Sequence, residues 1–305
     1  MSFEELVRQM RLDLMMKWGE DYEFQAACVQ KINGVEQPVL RIRRKGNSVG
    51  IQIGIGDVCD RIRKGGNRRE AEKELIGRVE EGLKQIGSGE TVLQTGQGIL
   101  DYREARERLV YRLIQTRRNE RLLRQIPHVP YLDLSIVFEL YWKQEGQHCS
   151  CLVYNSHLEQ WGVTVEELLA QARENTPKLL PAKSDSLNKI IRTMTAAMGE
   201  EKWEGQERWE NQWMYFLSNQ EYFHGAAAVL YEGELKRIAD LFGSNLIVLP
   251  SSVNEVLLLP ERLWPDIAGF AELIQEINQK EVEQEEWLSD HPYRYLRGED
   301  RLEAA

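Results

Sequence analysis

At 305 residues, 42% hydrophobic and 29% charged, the chain has the composition of a globular protein and enough length for two cores, which excludes disorder throughout. Four cysteines are too few for a disulfide framework, and no run approaches the roughly 20 apolar residues of a membrane helix. The formal charge of −10 is unevenly spread: residues 1–125 hold 24 Lys and Arg against 19 Asp and Glu, a net of +5, and the remainder holds 15 against 30, a net of −15.

Phe3, Leu6, Val7, Met10, Leu14 and Trp18 fall on one face at helical spacing. Acidic residues interrupt this stretch, so it reads as an amphipathic helix rather than a signal peptide, and the cytoplasm is the expected compartment. Tyr22 to Gln30 reads as a strand, Asn33-Gly34 as a turn, Val39 to Arg43 as a second strand and Val49 to Ile55 as a third. Gly56-Asp57 opens a short helix, and Asn67 caps a longer one that starts at Arg68. Residues 1–86 therefore follow the order α-β-β-β-α. Cys28 and Cys59, in apolar contexts, are expected as reduced, buried small hydrophobes. The four glycines between Gly87 and Gly98 suit a linker, placed at 87–100.

From Arg103 the pattern restarts. Leu109 to Ile114 is strand or helix, Asn119 to Gln125 is a helix closed by Pro127 and Pro130, and Leu132 to Trp142 pairs with His148 to Tyr154 across Glu145-Gly146. Helices follow at Ser156 to Trp161 and at Thr164 to Asn175, the second opened by a Thr164/Glu167 capping box. Pro177 and Pro181 are expected to break the chain. Next come a helix from Asp185 or Ser186 to Met198, a strand from Trp213 to Ser218 and a helix from Gly233 to Phe242 closed by Gly243. Strands at Leu246 to Leu249 and Glu255 to Leu259, then a helix beginning at Pro265, complete a second domain at 101–290. Residues 291–305 read as a polar tail. Hairpin-joined strands without a β-α-β rhythm argue for an α+β fold, in which a small α-β-β-β-α domain precedes a larger domain with a mainly antiparallel sheet packed by helices.

Five ordered segments carry a resemblance: NGVEQPVLRIRRKGNSVGIQI, RLIQTRRNERLLRQIPHVPYLDLSIVFEL, WGVTVEELLAQARENTPKLL, GAAAVLYEGELKRIADLFGSNLIVLPSSVNEVLLLP and EVEQEEWLSDHPYRY. From Gln30 to Tyr295 the chain resembles an uncharacterised bacterial domain-of-unknown-function family of clostridial gut anaerobes. Pro127 to Pro260 is also similar, more loosely, to an uncharacterised bacillus-type family. Neither resemblance implies a reaction, a cofactor or a catalytic residue. The first implies a histidine in the polar turn where this chain has Asn254, a departure that weakens any imidazole chemistry there.

The candidate constellations are few. Ser251, Ser252, Asn254 and Glu255 gather hydroxyls, an amide and a carboxylate at a hairpin mouth, but no histidine is near in sequence to activate a serine, and ordinary turn chemistry is the favoured reading. His148, Cys149 and Cys151 suggest zinc, yet strand alternation sends His148 to the opposite face from the thiols, and no metal is expected. Arg41, Arg43, Arg44, Arg61, Arg63, Arg68 and Arg69 form the densest basic region, on an element order shared with double-stranded-RNA-binding domains. A solvated face, or a dock for the acidic half, is favoured over nucleic acid, since no aromatics are interleaved to stack on bases. Trp203 and Trp209, with Trp213, Tyr215 and Phe216, could anchor an interface or fill a satellite core. No Walker loop, G-x-G-x-x-G after a strand or HExxH is present, and no cofactor is expected.

The leading expectation is thus a non-catalytic cytoplasmic protein that binds a protein partner or a small ligand, without catalytic residues and without a membrane role. The polar turn, Trp203 and Trp209 are its candidate surface. The alternatives are a hydrolase centred on Ser251 to Glu255, and nucleic-acid binding through the basic N-terminal domain.

Overall fold

The computed structural model describes residues 8, 12, 14–46, 50–87, 101–144, 146–186, 214–264, 267 and 269–305. They have the expected α+β class and divide into two units, Met1–Ala105 and Arg106–Ala305. The linker expected at 87–100 and the helix expected to run on to Met198 fall almost wholly outside the described residues.

In the first unit, strands β1 (Tyr22–Gln30), β2 (Glu36–Arg44) and β3 (Gly50–Gly54) form an antiparallel sheet in sequence order. Asn33 and Gly34 turn the chain between β1 and β2 with φ of 59° and 72°, the left-handed backbone that Asn and Gly tolerate best. Helices α1 (Gly56–Arg63) and α2 (Arg68–Gly87) cover one sheet face. Ala71, Leu75 and Val79, spaced by one helical turn on α2, meet Phe24, Leu40, Ile42, Ile55, Val58 and Cys59 in the core. Burial pushes the Cys59 thiol up to about 11 and keeps it protonated. Cys28 corrects the sequence expectation: it is exposed. Strand alternation puts it on the face of Phe24, but the helices cover only the Phe24 end.

The second unit holds two antiparallel sheets. In the first, β4 (Leu109–Gln115) pairs with one edge of β6 (Leu134–Gln144), while β5 (His128–Tyr131) and then β7 (Gln147–Leu152) pair in succession with the other. Residues 134–141 are buried without a break, so both faces of β6 are covered. Helices α3 (Asn155–Trp161) and α4 (Val165–Leu179) follow. The Thr164 box forms as expected, with the Glu167 N–H donating to Thr164 Oγ1 at 3.2 Å and the Thr164 N–H to Glu167 Oε2 at 2.8 Å. Helix α4 runs past Asn175 and contains Pro177. A proline in the last turn removes only the bond it would have donated, and the Leu180 N–H still reaches the Thr176 carbonyl at 2.8 Å.

The second sheet has the order β13-β12-β10-β11-β9-β8, with β8 at Ala182–Ser186, β9 at Tyr215–Asn219, β10 at Leu246–Pro250, β11 at Val256–Pro260, β12 at Tyr293–Leu296 and β13 at Arg301–Ala304. Two expectations are corrected here. Asp185 and Ser186 lie in a strand rather than starting a helix, and residues 291–305 are no tail, because β12 and β13 form a hairpin on the edge of β10. Tyr293, Tyr295 and Leu302 alternate inward on these strands, a pattern short enough to pass for polar sequence. Helix α5 (Glu234–Phe242) buries Leu235, Ile238, Ala239 and Phe242 and ends on Gly243 at φ 62°. Helix α6 (Gly269–Lys280) packs Ile274 against Ile247, Leu249 and Leu259.

The C-terminal hairpin is tied to the β5–β6 turn by Asp133, whose carboxylate accepts from the Tyr293 hydroxyl at 2.8 Å and lies 3.2 Å from His291 Nε2. Hydrogen bonding to Asp133 raises the His291 pKa from 6.5 to about 9. Burial alone would raise that of Asp133, but the bonds from His291 and Tyr293 outweigh it and hold it below 3.8. The His291 contribution to stability is therefore complete below pH 6.5 and is lost as pH rises through about 9. That of Asp133 is complete above 3.8 and is lost on acidification. D133N should remove the alkaline part of this dependence, lowering stability on the order of 1 kcal/mol at pH 6 and less at pH 9.5, after allowance for screening of a half-exposed pair. Thermal unfolding from pH 4 to 10 measures it, and equal losses at both pH values would contradict the assignment.

Candidate functional site

The polar turn connects β10 to β11, and its side chains are spent largely on the fold. Ser252 Oγ accepts from the Asn254 N–H at 3.0 Å, which is turn chemistry. Asn254 Oδ1 accepts from the His224 N–H at 3.1 Å, and its Nδ2 donates to Glu286 Oε1 at 3.1 Å. The Asn254 carbonyl accepts from Ser218 Oγ at 2.6 Å. Burial raises the pKa of Glu255, opposed by a hydrogen bond from Ser251. The four residues are thus brought together, but neither serine of the turn is paired with a histidine among the described residues.

What Asn254 holds is more informative. Tyr222 and His224 have φ of 52° and 50°, a left-handed backbone that costs non-glycine residues energy and persists only when surroundings fix it. Asn219 fixes the first part, accepting from the N–H groups of Glu221 and Phe223 and donating to the Phe223 carbonyl at 2.7 Å. Asn254 fixes the second. Gly225, next in the chain, passes so close that a Cβ there would lie 2.1 Å from Ser218 Oγ and 2.6 Å from the Asn254 carbonyl oxygen, so only glycine fits.

This path drives the His224 ring onto Arg112 of β4 and Glu139 of β6. The two strand residues are diagonal neighbours on one sheet face, with Val110 opposite Glu139 and Arg112 opposite Val137. Their side chains are 8% and 3% exposed, and Arg112 Nη1 donates to Glu139 Oε1 at 3.1 Å. Arg112 Nη1 also lies 2.9 Å from His224 Nε2. Arginine only donates, so Nε2 is the acceptor and the imidazole proton sits on Nδ1, 3.1 Å from Glu139 Oε2. That last contact is electrostatic rather than an aligned hydrogen bond, and it leaves Glu139 Oε2 and Arg112 Nε without hydrogen-bond partners among the described residues. Burial, then the Arg112 charge, lowers the His224 pKa. Burial would raise that of Glu139, but its cationic surroundings hold it down. Because His224 is held neutral, the permanent charge of Arg112 is what keeps Glu139 ionised. The sequence signal for this cluster was an Arg inside LVYRLI and a Glu inside SIVFELYW, each interrupting an apolar strand run.

A separate cleft of about 760 Å³ lies between α4, the first sheet and the segment leading into α5. Tyr111, Tyr131, Tyr231 and Tyr295 line it with Leu169, Arg173 and Pro177 of α4. Glu232, Glu234 and Asp300 add carboxylates. The Tyr231 hydroxyl donates to the Leu180 carbonyl at 2.8 Å, and Tyr295 donates to Asp300. Tyr111 is 3% exposed, and its hydroxyl, which has no hydrogen-bond partner among the described residues, is a part that opens on the cleft. Arg173 likewise has no ion pair among them, and its charge works against the burial that raises the Tyr111 pKa. As a group these residues did not stand out in the sequence, because they come from six separated segments and no motif joins them.

Other sequence candidates are dispersed. Trp203 and Trp209 lie outside the described residues. In the basic region, Arg43 pairs with Glu23 at 2.6 Å, Arg61 with Glu74 at 2.7 Å, Arg68 with Glu72 at 2.5 Å, and Arg63 with Asp60. Arg41 donates to Gln52 at 3.2 Å, while the side chains of Arg44 and Arg69 have no partner among the described residues. Cys149 and Cys151 lie opposite Trp142 and Leu140 on one face of β7, and His148 opposite Lys143 on the other.

The chain belongs to DUF5688, a family of unknown function, whose model matches residues 3–297. No curated protein and no solved structure matches it. Among the described residues, no helix is long and apolar enough to cross a membrane.

Two substitution series test the geometry. R112M or E139L alone should cost about 3–5 kcal/mol by stranding a buried charge, and the double variant should cost well below their sum. Urea unfolding measures this, and additive losses would show that the two groups do not act as a pair. At the turn, N254L should cost about 1–3 kcal/mol by orphaning the His224 N–H, whereas N254H should stay within about 1 kcal/mol of the parent. Imidazole Nδ1 sits on the same carbon as the amide oxygen it replaces, and Nε2–H keeps a donor on the Glu286 side. Equal losses in both variants would contradict a purely structural role for Asn254.

Proposed function

We propose that this is a non-catalytic binding protein that takes a small ligand in the cleft of its second unit. The observation that carries this reading is the Tyr111 hydroxyl, a polar group on a buried side chain that lines the cleft and has no partner among the described residues. The hydroxyl is not sealed from solvent: it opens on the cleft, where water or a ligand can bond to it. The cleft volume also falls within the roughly 300–1,000 Å³ of small-molecule sites. The hydrolase reading draws less support, because Ser252 Oγ is occupied by the Asn254 N–H and the His224 nitrogens face Arg112 and Glu139. The free thiols of Cys28, Cys59, Cys149 and Cys151 suit a reducing compartment such as the cytoplasm.

Ala182 is half-buried at the cleft margin, so A182W should fill the opening without disturbing the core. A ligand-observed NMR screen of a small-molecule fragment library against the full chain and this variant tests the reading. Fragments that bind the parent should lose at least tenfold in affinity on A182W at unchanged circular dichroism. An absence of binders, or binding indifferent to A182W, would overturn it.

A further inference from the structure

Resting on that cleft reading, we infer that the ligand is a neutral sugar of at least two units, recognised through its hydroxyl groups. The cleft wall presents hydrogen-bond donors and acceptors side by side. The hydroxyls of Tyr111 and Tyr131 have no partner among the described residues and neither is sealed from solvent, so both are free to donate to a ligand. Arg173, an exposed residue of α4, adds a guanidinium without an ion pair among the described residues. The Tyr231 and Tyr295 hydroxyls have committed their protons to the Leu180 carbonyl and to Asp300, which leaves them as acceptors. Among the described residues the Glu232 carboxylate has no partner, and that of Asp300 receives the Tyr295 hydroxyl alone.

Charge selects neither an anion nor a cation here. A hollow of about 670 Å³ shares Ala182 and Glu234 with the cleft, and together they carry Arg173, Lys183 and Arg237 against Glu232, Glu234 and Asp300. Arg237 and Glu234 pair at 2.8 Å, so two charges of each sign remain without an ionic partner. An anion then meets the carboxylates and a cation meets Arg173 and Lys183. An apolar ligand would strip water from these groups and return no hydrogen bonds. A small zwitterion would answer one charge of each sign and leave the four tyrosine hydroxyls unanswered. An uncharged molecule dense in hydroxyls meets the whole wall, because each hydroxyl both donates and accepts.

Shape narrows the choice further. A carboxylate has two acceptor oxygens and a guanidinium a fork of donors, so each can span adjacent hydroxyls of a sugar ring. Tyrosine rings, with Leu169, Pro177 and Leu230, offer apolar surface to the C–H groups of that ring. Tyr111 and Tyr231 meet edge to face, with centroids 6.3 Å apart and planes at 71°, and so leave no slot between them for a flat nucleobase. The cleft of about 760 Å³ is roomier than one pyranose ring requires, and the adjoining hollow adds Ser184 and Gln220 beyond Ala182, which sets the length at two units or more.

Saturation-transfer NMR on the full chain with a pool of neutral disaccharides (maltose, cellobiose, lactose and sucrose) tests this, beside a pool of nucleosides and a pool of unblocked dipeptides at the same concentration. The disaccharide pool should bind and the other two should not. For the disaccharide with the largest signal, E232Q should weaken binding about tenfold and Y111F about fivefold. The thermal unfolding temperature should stay unchanged in both, since Glu232 is exposed and the Tyr111 hydroxyl has no partner among the described residues. Disaccharide binding indifferent to both variants and to A182W would overturn the inference by placing the sugar elsewhere. Nucleosides or dipeptides that bind as well as the disaccharides, or better, would overturn the sugar. Failure of all three pools, while fragments still bind in an A182W-sensitive way, would overturn the sugar and leave the cleft reading standing. Failure of sugars and fragments alike would overturn both.

Discussion

The second unit is organised around a pair of opposite charges that cannot leave the interior. Arg112 and Glu139 sit diagonally across two strands that are buried along most of their length, and each is tolerable there only because the other is present. An apolar pair would hold the strands as well or better, so the charges are more than glue. They demand a third group that can accept from Arg112 and face Glu139 at once. A neutral imidazole protonated on Nδ1 meets both demands, and His224 is positioned to be that group.

Bringing His224 there dictates much of the surrounding backbone. The chain must leave β9, turn through two left-handed residues and dive beside Ser218, a route possible only with Asn219 and Asn254 as clamps and a glycine at 225. That route sets the start of the buried 3₁₀ segment Gly225–Leu230, whose continuation through Tyr231 to Glu234 forms one wall of the cleft. Strand β4 connects the two regions most directly. Arg112 faces the charge cluster while its neighbour Tyr111, on the opposite face, lines the cleft. A charged layer on one face thus lies behind a wall of the cleft on the other, and the left-handed backbone near His224 is on the side away from Tyr111.

Local chemistry was the legible part of the fold. Asn33-Gly34, the Thr164 box, Gly243 and the apolar stripe of α5 each depend on residues within one or two turns of chain, and each formed where its residues stand. Pro177 was misleading because position within the last helical turn, rather than the residue itself, decides whether proline ends a helix. The strands after His291 were obscured because four-residue edge strands show too little alternation to stand out from polar sequence. The cleft was illegible for a different reason. Tyr111, Arg173, Tyr231 and Asp300 are unremarkable in their own segments and acquire meaning only when α4 and two sheets bring them together. The buried pair lay between these cases: its presence could be suspected from charges inside apolar runs, but its partner histidine could not.

The first unit shows why a count of basic residues is a poor guide to a binding face. Its arginines are dense in sequence, yet Arg43, Arg61, Arg63, Arg68 and Arg78 each meet a carboxylate within the unit. Exposed pairs of this kind add little stability, typically about 0–1 kcal/mol each. Their effect on the outward field is larger, because a paired guanidinium presents a dipole where a free one presents a charge. Phosphate binding draws on unpaired cations aligned along a backbone, each releasing a counterion. Arg44 and Arg69, the members of the seven whose side chains have no partner among the described residues, lie on different elements, β2 and α2. Residues 1–105 hold 17 Lys and Arg against 17 Asp and Glu, so the excess of +5 over residues 1–125 comes from residues 106–125 and not from this unit. A run of arginines whose partners are already in place therefore says little about a phosphate backbone.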